Sequence, residues 1–163
     1  MKTVVLLSGG LDSSVLLAWV RNRTPATSVF AVSVDYGQRH RRELLAAASV
    51  AELYRAPHEV IELPVSLMSG SSLTGGGDVP DGHYADPSMR STVVPARNTL
   101  LLAVAAAVAV REKCHEIAYA AHAGDHAIYP DCRPEFISAF GGVLATCDYE
   151  PIQLLTPFSN IDK

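Results

Sequence analysis

An apolar run from Val4 to Leu7 breaks at Ser8-Gly9-Gly10-Leu11-Asp12-Ser13 and gives way at once to a helical pattern from Ser14 to Val20. A strand that turns through two glycines into a helix points to an α/β architecture, with its first loop at the carboxyl end of a strand. Glycines lack the Cβ atoms that keep a backbone from wrapping an anion. The helix start aims unpaired N–H groups and a partial positive charge at the same spot. Ser8, Ser13 and Ser14 add hydroxyl donors. The spacing is neither GxxxxGKS/T nor GxGxxG, so the two commonest nucleotide loops are not matched. Asp12 is the odd member, because a carboxylate repels phosphate unless a divalent cation lies between them, and it therefore points to Mg²⁺. The plainer alternative is a Gly-Gly turn with Asp12 capping a helix.

Beyond this turn the chain alternates strand-like and helical segments. Strands are expected near Thr3 to Leu7, Ser28 to Val34, His58 to Ile61, Glu116 to Ala120 and Ile152 to Leu154, and helices over Ser13 to Arg21, His40 to Leu53, Asn98 to Glu112 and Pro134 to Ala145. Short apolar strands separated by helices predict a parallel five-stranded sheet, Rossmann-like, with helices on both faces and a ligand at its carboxyl edge. A chain of 163 residues, 48% hydrophobic, suits a single domain spanning 1–163. Its formal net charge of −4, with no basic run beyond Arg39 to Arg42, disfavours nucleic acid and favours a small-molecule substrate. The longest apolar run, Leu100 to Val110, is too short to span a bilayer, and Met1-Lys2-Thr3 leads into a strand, not a signal peptide. Cys114, Cys132 and Cys147 are odd in number and widely spaced, which fits a reducing cytoplasm. The segment from Glu62 to Arg97 has no clear period and reads as an active-site lid, with disorder as the alternative.

Three further clusters fall at strand ends. In Asp35-Tyr36-Gly37-Gln38-Arg39-His40-Arg41-Arg42-Glu43, three arginines beside a helix start oppose the helix dipole unless an anion answers them. Tyr36 either stacks on a flat ring or fills the core. In Val94-Pro95-Ala96-Arg97-Asn98, Asn98 is expected to cap the next helix and Arg97 to meet an anion. The alanines at 103, 105, 106 and 107 are expected to let that helix lie close to the sheet. Between His122 and Phe136, Asp125 or Asp131 offers an acceptor for a guanine-like edge and Tyr129 a stacking surface. The plainer reading pairs Asp131 with Arg133 and lets Pro134 start a helix. His122 and His126 lie on a loop with no second cysteine nearby, which argues against zinc there. Cys132 reads as structural.

The Ser-Gly-Gly-x-Asp-Ser turn resembles the PP-loop ATP pyrophosphatases, which cleave ATP between its α and β phosphates. Together with Asp35-Tyr36-Gly37-Gln38-Arg39-His40, Val94-Pro95-Ala96-Arg97-Asn98 and Tyr129-Pro130-Asp131-Cys132-Arg133-Pro134-Glu135-Phe136, it resembles the 7-cyano-7-deazaguanine synthase family over nearly the whole chain. The resemblance implies the adenine nucleotide alpha hydrolase-like fold and an ATP-dependent ligase of queuosine biosynthesis. Such an enzyme turns 7-carboxy-7-deazaguanine and ammonia into a nitrile through adenylated intermediates.

It implies that Leu7, Ser8, Gly9, Gly10, Leu11, Asp12, Ser13, Ser14, Val15, Leu16 and Leu17 hold ATP, with Asp12 on Mg²⁺. Catalysis is assigned to Asp12, Ser13, Arg39 and Arg97, and substrate binding to Tyr36, Gln38, Arg39, Arg97, Asn98, Asp125, Tyr129, Asp131 and Arg133. A homodimer is expected, with no direct nucleic-acid or membrane partner. Leu11 stands where the family often has Gln, Ala96 where it often has Gly, and His126-Ala127-Ile128 where it often has aromatic-Ser-Gly. Family members continue into further helices and a four-cysteine zinc site; none of those zinc ligands occurs in this sequence, which reads as a fragment or a natural short form. Another PP-loop ligase or thiolase, or a non-catalytic nucleotide-binding remnant, are the competing readings.

Overall fold

The computed structural model describes residues 1–38, 42–64, 66, 94, 96–127 and 129–161. Five strands, β1 (Thr3–Leu6), β2 (Val29–Asp35), β3 (His58–Glu62), β4 (Glu116–Ala118) and β5 (Gln153–Leu155), pair in parallel in the order β3-β2-β1-β4-β5. The chain leaves β1 toward one edge of the sheet and returns through β4 to build the other. The topological switch point therefore lies between β1 and β4, where the loops diverge and leave a crevice.

Alternation within β1 divides the core. Val4 and Leu6 face α3 (Arg97–Glu112) and α4 (Pro134–Leu144), packing with Leu102, Ala105, Ala109, Phe140 and Leu144. Val5 and Leu7 face α1 (Leu11–Arg23) and α2 (Arg42–Leu53), packing with Leu16, Leu17, Val20, Ala47 and Ala51. This is the period-two pleat of a strand buried on both sides. The parallel five-stranded sheet with helices on both faces is as the sequence predicts.

Local differences have identifiable causes. β3 is only partly buried, because it is an edge strand; its Glu59 forms an ion pair with Arg111 of α3. Of the α3 alanines, Ala105 is wholly buried and Ala106 partly so, whereas Ala103 and Ala107 face solvent. Helical periodicity gives one face, not a continuous run, to the sheet.

A polar relay ties three strands together just before the first loop. The Ser33 hydroxyl donates to the Leu7 carbonyl. Having spent its one proton there, it accepts from His58 Nε2–H at 2.7 Å. Burial pulls the His58 pKa below its ordinary value. The expected lid falls almost entirely on residues outside those described, as do Arg39, His40, Arg41 and Pro95.

Candidate active site

The turn after β1 is stitched by its own serines. The Ser8 N–H donates to Ser13 Oγ at 3.1 Å, the two hydroxyls lie 3.0 Å apart, and Gly10 N–H reaches Ser8 Oγ at 3.3 Å. Ser13 and Ser14 hydroxyls both donate to the Gly10 carbonyl, at 3.1 and 2.8 Å. Gly10 is the N-cap of α1 and supplies no side-chain cap, so the helix end facing the turn keeps its affinity for an anion.

The two glycines do different things. Gly9 has φ +87°, and a Cβ there would lie 2.0 Å from the Glu43 carbonyl oxygen of α2, so it is glycine because α2 is packed against the turn. At Gly10 a Cβ would meet only Ser8 Oγ, at 3.4 Å.

The turn forms one wall of a cavity of about 250 Å³ at the switch point, reached by Ser8, Gly10, Asp12 and Ser13. β2 contributes Tyr36 and Gln38 from the segment after its end, α3 contributes Arg97 and Asn98, and the chain after β4 contributes Tyr119, Asp125 and Cys132. The 35–38 turn folds on itself: Asp35 Oδ1 accepts from Gly37 N–H at 2.9 Å, and Gln38 accepts from Tyr36 N–H at 3.0 Å while donating to the Val34 carbonyl at 3.3 Å.

Arg97 is the cation of this pocket. Burial opposes its charge, but Tyr36, Tyr119, Asp131 and Tyr129 more than offset this and hold its pKa above the ordinary value. At neutral pH the tyrosines carry no charge. Among the described groups acting on it, Asp131 is then the sole anion, and that carboxylate is already engaged elsewhere. The Arg97 guanidinium also lies 5.5 Å from the Tyr129 ring centroid, within cation–π range. Burial raises the Tyr36 hydroxyl pKa, against the pull of Arg97.

Asn98 does not cap α3. Ala96 occupies that position, in the left-handed region at φ 54°, and Asn98 lies inside the first turn, 3% exposed. The cap comes from another loop: Asp131 Oδ2 accepts from Asn98 N–H at 2.9 Å, while Asn98 Nδ2 donates to the Asp131 carbonyl and to Cys132 Sγ, each at 3.3 Å. Asp131 thus serves α3 and is not tied up with Arg133, whose Nε donates to the His126 carbonyl at 2.8 Å from an exposed position. Burial pushes the Cys132 thiol up to about 11, and with Tyr119 Oη at 3.4 Å it is a protonated packing group, not a nucleophile.

The expected nucleotide stretch divides by helical phase. Leu16 and Leu17 are wholly buried in the core, Leu11 and Val15 are 71% and 47% exposed, and none of the four lines the cavity. Arg133 and the side chains of Tyr129 and Asp131 also lie outside its lining, whereas Arg39 is not among the described residues. Tyr119 and Glu43 line the cavity without having been singled out. Tyr119 directly follows β4, whereas the expected strand, running on to Ala120, placed it inside the sheet.

His122, read from sequence only as an unpromising zinc ligand, is 8% exposed with Nε2 at 3.4 Å from Asp125 Oδ2 and 3.8 Å from Asp12 Oδ2. Asp12 fits a Mg²⁺ that arrives with nucleotide, because that ion takes one or two carboxylates and fills its shell with phosphate oxygens and water. Among the described residues no three His, Cys, Asp or Glu side chains are grouped to hold a metal.

Comparison with known proteins agrees with this architecture. The family described as "Queuosine biosynthesis protein QueC" matches residues 2–163. The chain is 46% identical over 164 residues to 7-cyano-7-deazaguanine synthase 1 of Colwellia psychrerythraea, covering 99% of this chain and 74% of that protein. It is 48% identical over 162 residues to the 7-cyano-7-deazaguanine synthase of Marinobacter nauticus, covering 98% and 72%. Among solved structures, the U34-tRNA thiolase NcsA of Methanococcus maripaludis aligns with TM-score 0.55 at 17% identity over 100% of this chain and 53% of its own. The NH3-dependent NAD synthetase of Campylobacter jejuni aligns with TM-score 0.53 at 14% identity over 77% and 49%. These two likenesses concern the fold alone, a parallel sheet with helices on both faces. With a family match over residues 2–163 and relatives nearly half identical along almost its full length, the chain belongs to the QueC family of queuosine biosynthesis proteins.

Proposed function

We propose that this chain is a 7-cyano-7-deazaguanine synthase, which uses ATP to convert the carboxylate of 7-carboxy-7-deazaguanine, with ammonia, into a nitrile. The observation that carries the reading is the convergence on one cavity of a glycine turn opening a helix and a half-buried guanidinium. One end is suited to the polyphosphate of ATP. The other suits a flat, anionic acid beside Arg97, Tyr36 and Asp125.

A carboxylate does not expel oxide, so its oxygen first attacks the α-phosphorus of ATP, releasing pyrophosphate and leaving an acyl adenylate. Ammonia displaces AMP to give the amide and a proton. The amide oxygen then attacks a second ATP, releasing pyrophosphate and a proton to leave an imidoyl adenylate, and loss of AMP and a second proton leaves the nitrile. Every leaving group is a phosphate, so the protein's task is placement and charge neutralisation.

The N–H groups of the turn and of the start of α1 hold the departing pyrophosphate, with Ser8 and Ser13 hydroxyls beside them. Arg97 answers the substrate carboxylate and the transferring phosphoryl group, and Arg39 is assigned the same work. Tyr36 flanks the base. Asp125 accepts from its ring N–H and amine, with Gln38 and Asn98 shaping that end, Asp131 holding Asn98 in place and Tyr129 backing Arg97. Mg²⁺ on Asp12 would screen the phosphates when bound. No step needs Cys132. The working unit is a homodimer in the cytoplasm; the three cysteines, all free, suit that compartment.

The test is release of AMP and pyrophosphate when 7-carboxy-7-deazaguanine, ATP, Mg²⁺ and ammonia are supplied. Asp12→Ala is expected to lower turnover by at least about 100-fold with circular dichroism unchanged. Undiminished turnover in that variant would remove Asp12 from the chemistry. A parent chain that binds both ligands yet releases neither product would favour the nucleotide-binding remnant.

A further inference from the structure

His122 lies just behind the cavity lining, beside two of the residues that form it, Asp12 and Asp125. It follows β4, caps the short turn Ala123–Asp125, and is 8% exposed. Its Nδ1 accepts the Gly124 N–H at 3.1 Å. A ring that accepts at Nδ1 carries its proton on Nε2. Nε2 lies near two carboxylates, 3.4 Å from Asp125 Oδ2 on the base side and 3.8 Å from Asp12 Oδ2 in the glycine turn, with a well-formed hydrogen bond to neither. The loop carrying it is held in turn by Ala123 N–H donating to the Ile161 carbonyl at 3.1 Å.

A single N–H serves one carboxylate well or two poorly. We infer that His122 is a positioning residue that couples the halves, so that nucleotide on the phosphate turn commits the Nε2–H to Asp125 and tightens binding of the acid substrate. This inference rests on the proposed function. Nucleotide with its cation draws the Asp12 carboxylate toward itself, which removes the competitor for the proton. Asp125, fixed by one donor from His122, then presents its remaining lone pairs to the N–H groups of the base. The protonated nitrogen stays with His122 throughout and no covalent bond changes.

Two substitutions separate this role from packing. His122→Asn keeps an acceptor near Nδ1 for the Gly124 N–H but cannot reach the carboxylates. His122→Gln places an amide donor near the position of Nε2. In calorimetric titrations of the full chain with 7-carboxy-7-deazaguanine, a non-hydrolysable ATP analogue with Mg²⁺ is expected to tighten binding at least fivefold in the parent. The tightening is expected to vanish in His122→Asn, with each ligand's separate affinity within about threefold of the parent, and to persist in His122→Gln. Retained tightening in His122→Asn, or equal loss in both variants, overturns the inference.

Long-range proton–nitrogen NMR of the unliganded parent supplies a second arm. It is expected to report an unprotonated Nδ1 and a protonated Nε2 whose signal moves in both Asp12→Asn and Asp125→Asn. A signal unmoved by either variant overturns the coupling, whatever the folding of the His122 variants. A parent that binds neither ligand while passing the NMR arm removes the proposed function and leaves the bridge standing.

Discussion

Gly9 and Gly10 are adjacent and chemically identical, yet the fold asks different things of them. Gly9 combines a positive φ with the backbone of α2 inside methyl-contact distance, whereas Gly10 has φ −74° and room for a Cβ against Ser8 Oγ alone, at 3.4 Å. Gly9→Ala is expected to destabilise the chain by about 2 kcal/mol or more, and Gly10→Ala by less than about 1 kcal/mol, in urea unfolding. Equal costs would show that the turn is not packed on α2 as described. Ala96 presents the reverse case. A side chain stands at φ 54°, in the left-handed region that favours glycine. Ala96→Gly is expected to raise stability by about 0.5–1 kcal/mol while α3 keeps its start. A loss would mean that the left-handed conformation at residue 96 is not the one adopted in solution.

Among the elements, β3 is the exposed edge, and its tie to the sheet includes His58. Burial depresses the His58 pKa, so the folded state binds fewer protons than the unfolded chain over the interval between the two values. Stability from this group is therefore present above its unfolded value of about 6.5 and is lost as pH falls through the folded value. Urea midpoints are expected to fall from pH 7.5 to pH 5.5 in the parent, and to fall less in His58→Gln, which keeps a donor toward Ser33. An identical slope in both proteins would exclude His58 as the source. α3 shows how far an element's cap can lie from it in sequence. Asp131 caps it from 33 residues away, a partner that no local pattern around Asn98 reveals.

At the scale of the whole molecule, the switch point between β1 and β4 gathers segments from four parts of the chain onto one cavity. Ligand that binds only the assembled cavity stabilises the fold by mass action. A non-hydrolysable ATP analogue at 100 times its dissociation constant is expected to add about 2.7 kcal/mol to unfolding, read as a rise in Tm. The gain is expected to shrink in Arg97→Lys when 7-carboxy-7-deazaguanine is the ligand, because an ammonium lacks the planar fork that grips a carboxylate. No change in Tm with either ligand would mean that the cavity is not their site.

What the sequence determined by itself is what depends on neighbours along the chain. Residue alternation and turn chemistry gave five parallel strands and four helices close to their observed spans, and the run from Ser8 to Ser13 announced a glycine turn leading straight into α1. What only the tertiary structure decided depends on partners distant in sequence. Gly9 is fixed by α2, Asn98 is inside its helix because Asp131 caps it, Leu16 and Leu17 turn to the core by helical phase, and His122 lies between Asp12 and Asp125. The reason is physical: backbone propensity acts over a few residues, whereas burial, capping across loops and the facing of charges are set only when the sheet brings the strand ends together.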